Sequence, residues 1–136
     1  MSSPARRELL SVLPNPEVKI DYVVTLRGRI GTAQESRRAS IRLRYIPDKY
    51  ILGEDAFRRY LDDLANGTWT SLEELAALIL HDINNEVIGR WVQVTVGKTA
   101  VTTTTAAAAE GSERLHTVVI EDRQPRWDNL QILSRL

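Results

Sequence analysis

Three observations predict an α+β fold, an antiparallel sheet with a helix pair on one face. Val18, Ile20, Tyr22, Val24 and Leu26 alternate with Lys19, Asp21 and Thr25, and Arg27 continues the polar side. A period of two over this length marks a half-buried strand. Phe57, Tyr60, Leu61 and Leu64 then fall at i, i+3, i+4 and i+7, and Leu72, Leu75, Ala76, Ile79 and Ile83 form a second helical stripe. The strand-like segments lie in two sequential pairs, which favours hairpins and antiparallel pairing, with the helices between them covering one face.

The elements follow in order. Residues 1–13 are read as an N-terminal extension, 14–122 as the domain and 123–136 as a tail. Within the extension Ala5-Arg6-Arg7-Glu8-Leu9-Leu10 suits a short helix, ended by Pro14 and Pro16. Gly28 and Gly31 loosen the first strand into a polar loop over 31–38. The second strand points Ile41, Leu43 and Tyr45 inward and Ser40, Arg42 and Arg44 outward, and Pro47-Asp48 stops it. Asn66-Gly67 closes the first helix and Asn84-Asn85 the second. Val92, Val94 and Val96 mark the third strand and Leu115 to Glu121 the fourth. The threonine- and alanine-rich residues 99–111 read as a loose connection. Trp127 is expected to anchor the tail on the body. Val23, Trp91, Val118 and Ile120 are placed on the sheet face away from the helices, or near it. Either they are scattered surface residues, or the sheet closes into a barrel with copies of itself.

Composition removes several functions. The 136 residues suffice for one domain with a core. Eighteen basic and 18 acidic residues cancel, so there is no overall basic field and no nucleic-acid partner is expected. The sequence has no cysteine. This excludes disulfides, thiolate zinc sites and cysteine nucleophiles, and fits a cytoplasmic protein. The first 13 residues lack the apolar stretch of a secretory signal, and no apolar run approaches the ~18 residues of a membrane span. Two histidines, His81 and His116, form no spaced ligand cluster, so no metal site is expected.

The segment Thr70-Ser71-Leu72-Glu73-Glu74-Leu75-Ala76 carries the most chemistry. Ser71-x-x-Glu74 fits a capping box, as does Thr70-x-x-Glu73, and acids in a first helical turn are favoured by the helix dipole. A carboxylate also accepts two hydrogen bonds side by side, matching adjacent N–H groups of a heterocycle. The readings are compatible if Glu74 caps and Glu73 faces a ligand. Lys98, just after the third strand, is either a solvated strand-end lysine or a proton-transfer group. Glu35 reads as a loop charge, and His116 as a surface histidine on the outer sheet face. Arg27, Arg29, Arg42 and Arg44 form a basic strip. A solvated or inter-subunit face is favoured there over contact with a phosphate or RNA.

Element order and local motifs from Asn15 to Ile120 resemble the tunnelling-fold (T-fold) superfamily, whose members bind pterins and purines through a glutamate at a helix start. The resemblance implies a ββααββ domain, with a four-stranded sheet, that assembles as a homo-oligomer, tetramer or larger, into a barrel. Leu72-Glu73-Glu74-Leu75-Ala76 and Val92-Gln93-Val94-Thr95-Val96-Gly97-Lys98 resemble dihydroneopterin aldolase. That implies Glu73 as the ring anchor with Leu72 and Tyr50 beside it, and Lys98 and Glu35 as catalytic groups in a retro-aldol cleavage without cofactor or metal. Asn15-Pro16-Glu17, Asp21-Tyr22-Val23-Val24, Arg42-Leu43-Arg44-Tyr45-Ile46-Pro47-Asp48 and Tyr60-Leu61 resemble the nitrile reductases of queuosine biosynthesis. The alternative they imply is a cysteine-less, noncatalytic ligand-binding or assembly protein. The nucleophilic cysteine of those enzymes is missing here, as is their lysine-rich cofactor motif before the helix. Thr99 stands where the aldolases have proline.

Overall fold

A computed structural model describes residues 4–31, 38–99 and 114–136. In sequence order they form α1 (Pro4–Glu8), β1 (Val12–Pro14), β2 (Val24–Ile30), β3 (Ala39–Ile46), β4 (Tyr50–Leu52), α2 (Glu54–Leu64), α3 (Leu72–Glu86), β5 (Trp91–Thr99), β6 (Arg114–Arg123) and a final 3-10 turn, Leu130–Arg135. The class is α+β with antiparallel strands. One four-stranded sheet runs in the order β2-β3-β5-β6, and β1 pairs only with β4. The expected six-element order is thus interrupted: β4 stands between the first hairpin and the helices, and α1 and β1 precede it.

The core lies between the sheet and the helix pair. Ile41, Leu43, Tyr45, Val92, Val94 and Val96 meet Phe57, Tyr60, Leu61, Leu75, Ile79 and Ile83 there. Alternation in the strands and the 3.6-residue stripe in the helices supply these two apolar surfaces. Gly28 is where β2 lies against α2. A Cβ at this position would meet the end of the Leu61 side chain, which would have to shift, so glycine lets the strand lie this close with Leu61 in place. The strand therefore runs through Gly28 to Ile30 instead of loosening there. The turn comes at Gly31, whose φ of 84° suits glycine. Leu10, from the N-terminal segment, is also part of the core.

Four other expectations are corrected. Val18 to Val23 is not strand, and Val18 and Ile20 are exposed. Pro16 and the side-chain hydrogen bonds of Asn15, Asp21 and Tyr22 give this backbone another way to be held. Asn84-Asn85 does not close α3, which continues to Glu86. The Asn84 amide donates to Asp122 on β6, 3.1 Å away, and Ile88 takes the left-handed backbone conformation (φ 53°) two residues beyond the helix. Val118 and Ile120 pack against the helix-side core, because they are register partners of Val96 and Val94. His116, two residues earlier, lies on that same side and not on the outer face. Trp91 does belong to the outer face, but it is only 1% exposed, paired in register with Ile46 and donating its indole N–H to Glu121.

Candidate functional site at the start of the second long helix

Ser71 starts α3 as expected: its backbone is extended, and its hydroxyl accepts the Glu74 amide at 3.0 Å. The reciprocal half of the capping box is not made. The Glu74 carboxylate instead accepts from the Thr70 hydroxyl at 2.8 Å. Glu73 is left outside the cap. Its side chain is 63% exposed, and Oε2 lies 3.3 Å from Nε2 of His116, itself 44% exposed.

The β5–β6 register brings the third group in. Lys98 is the cross-strand partner of His116, just before a bulge at Lys98/Thr99. Opposed residues on an antiparallel pair put their Cβ atoms about 5 Å apart on one face. Glu73, His116 and Lys98 therefore share one corner, made by the first turn of α3 and the end of the β5–β6 hairpin. Among the described residues the Lys98 side chain makes no hydrogen bond or ion pair. An exposed carboxylate, an imidazole and an ammonium can together accept paired N–H donors, donate to a ring carbonyl and relay a proton.

The other site candidates are placed differently. The Leu72 side chain is buried in the core, which leaves only its backbone for a ligand. Tyr50 belongs to β4, where it pairs with Pro14, and the backbone reaches it from the Ile46 end of β3. That end is six β3 residues, about 20 Å, from the Ser40–Gly97 end beside Lys98. Tyr50 is therefore not in the Glu73 corner. Glu35 lies outside the described residues, as does most of the 99–111 connection. His116 is exposed, as expected of a surface histidine, but on the helix side of the sheet beside Glu73. The signal for that side was present in the parity His116 shares with Val118 and Ile120.

A second polar region lies at the Ile46 end. The Arg90 guanidinium donates to Asp21 at 2.8 Å, to Asp48 at 3.3 Å and to the Val18 carbonyl at 2.6 Å. The Trp127 indole and the Asn129 amide both reach Asp21 at 2.9 Å, and the Gln124 amide reaches Asp48 at 3.1 Å. Buried Asn15 donates to the Asp48 carbonyl at 2.7 Å and accepts from the Tyr22 hydroxyl at 2.6 Å. These bonds clasp the lead-in to β2, the turn after β3, the start of β5 and the tail. Burial alone would raise the Asp21 pKa, but the hydrogen bonds from Asn129, Trp127 and Arg90, with the Arg90 charge, outweigh it and hold it below the ordinary 3.8.

A third cluster fixes the helices. Fully buried Asp82 accepts from the Arg6 guanidinium at 3.0 Å and from the Tyr60 hydroxyl at 2.6 Å, tying α1 to α2 and α3. Burial, then the bond to Asp82, holds the Tyr60 phenol far above its ordinary range. Asn15, Asp21, Tyr22 and Asp48 of the reductase-like motifs sit in the clasp, and Tyr60 sits in this cluster. Their bonds are to the protein itself.

No protein-family model matches the sequence, and no curated protein matches it either. Among the described residues no helix is long and apolar enough to cross a membrane.

Proposed function

We propose that this is a T-fold-like protein that binds a pterin or purine ring at Glu73. The observation that carries the reading is the division of labour at the start of α3. Ser71 caps, Thr70 occupies Glu74, and Glu73 is left exposed beside His116, whose cross-strand partner is Lys98. A carboxylate in that setting can take two adjacent ring N–H groups. The corner is open, and the two cavities described, about 350 and 440 Å³, are lined by other residues. A second copy is expected to wall the site. β6 is a ten-residue edge strand with Leu115 and Val119 exposed, a template for joining sheets edge to edge into a homo-oligomer.

As an enzyme the protein would be an aldolase-type lyase. The carbon–carbon bond in the substituent of a dihydropterin breaks and its electron pair moves into the ring, so no Schiff base is needed. The hydroxyl proton leaves through water held by Lys98, and a proton returns to the ring-side carbon. Lys98→Ala should then lower turnover by about tenfold or more while changing affinity little, since the group acts in the transition state. Release of glycolaldehyde from dihydroneopterin is the assay.

The clasp favours a second reading. Asn15, Asp21, Tyr22 and Asp48, which carry the reductase-like motifs, are engaged in holding the fold, a role that needs no cysteine. A noncatalytic binder would take up neopterin, guanine or a deazaguanine without releasing glycolaldehyde or consuming NADPH. A wild-type protein that binds none of these rings would end both readings.

A further inference from the structure

The sheet face turned away from the helices carries a charge that the neutral composition conceals. The β2–β3 register sets Arg27 opposite Arg42 and Arg29 opposite Ser40, and the β3–β5 register continues these rows to Thr95 and Gly97. These six residues line a hollow of about 440 Å³, within the range of small-molecule sites. Arg27 and Arg29 are exposed and make no ion pair among the described residues. The acid placed on this face by the β5–β6 register is Glu121, one row away and already accepting from Trp91 and Gln93. Gly97 keeps the floor open: a side chain there would begin 3.4 Å from the Ser40 hydroxyl and 3.6 Å from that of Thr117.

Arg42 donates to the Thr95 hydroxyl at 3.4 Å, and Arg27 and Arg29 add exposed guanidiniums whose paired N–H donors suit an oxyanion over a hollow edged with hydroxyls. We infer that this hollow binds a small phosphate-bearing molecule, a phosphate ester or diphosphate. It lies on the other side of the sheet from Glu73 and is independent of the ring site.

The test is calorimetric titration of the full-length protein with sodium diphosphate at low ionic strength, with sodium sulfate and oligouridylate run in parallel. Saturable binding of one diphosphate per protomer is expected, tighter than sulfate and weakening as salt rises. The double variant Arg27→Gln/Arg29→Gln should bind about tenfold to a hundredfold more weakly, as loss of charge-assisted bonds implies. Gly97→Val, which fills the hollow with a strand-forming residue, should also lose binding. Arg58→Gln, on the exposed face of α2, should not. The melting point of wild type should rise with diphosphate, and that of the double variant should not. Absence of saturable binding, equal affinity for sulfate, tighter binding of oligouridylate than of diphosphate, or unchanged affinity in both the double variant and Gly97→Val would each overturn the inference.

Discussion

The two ends of the sheet use polar side chains in opposite ways. At the Ile46 end Arg90, Asp21, Asp48 and Asn15 are half-buried or buried, and their polar atoms are taken up by the protein. At the Gly97 end Glu73 is exposed and meets His116, and the side chain of Lys98, the cross-strand partner of His116, has no partner among the described residues. Polar groups withdrawn from water must be bonded internally, so a saturated cluster stabilises one conformation and has little capacity left for a ligand. Exposed groups held by rigid elements contribute little to stability and remain available. On this basis the saturated end serves the fold, and the open end is where the proposed ligand would bind.

The largest expected effect breaks the saturated end. Arg90→Ala removes the donor shared by Asp21, Asp48 and the Val18 carbonyl, leaving two acids short of a partner. It should cost about 1.5–3 kcal/mol in denaturant unfolding, the range for hydrogen bonds to charged groups. A loss within about 0.5 kcal/mol, typical of surface substitutions, would mean the clasp is ornamental.

A smaller effect separates cap from ligand group within one helical turn. Ser71→Ala should cost about 0.5–2 kcal/mol, because its hydroxyl satisfies a helix-end N–H. Glu74→Ala should cost less, since its carboxylate meets Thr70 and not the backbone. The reverse order in thermal unfolding would show that the acid is the cap.

The clasp also predicts a pH dependence. The Asp21 carboxyl titrates below its ordinary 3.8 in the folded protein, so the folded state holds fewer protons there than the unfolded one. Its contribution to stability is complete above that ordinary value and is lost as pH falls through the lower, folded one. Asp21→Asn should flatten this part of the acid unfolding profile. An unchanged profile would place the acid sensitivity elsewhere.

The helices were legible because their cores obey a single period. Phe57 to Leu64 and Leu72 to Ile83 are read correctly from spacing alone, and the valines of β5 likewise. The N-terminal alternation misled because Val18, Ile20 and Tyr22 have strand periodicity without strand pairing. The Asn15 and Asp21 side chains bind across the fold, to Asp48, Arg90, Trp127 and Asn129, and no local pattern reveals a partner more than a hundred residues away. Asn84 misled similarly: an asparagine that could cap a helix instead bonds Asp122. At the candidate site the cap and Glu73 were readable from one segment. The meeting of Glu73 with His116 depends on how α3 lies over β6, and the exclusion of Tyr50 on strand register.

The central claim is that the bare carboxylate at the start of α3 serves a ligand and not the fold. Calorimetric titration of wild type and Glu73→Ala with neopterin and guanine, beside denaturant unfolding of both proteins, tests it most directly. Saturable binding by wild type and none by Glu73→Ala is expected, with unfolding free energies that agree to within about 0.5 kcal/mol. Undiminished binding by Glu73→Ala, or a loss of binding that accompanies a comparable loss of stability, would contradict it.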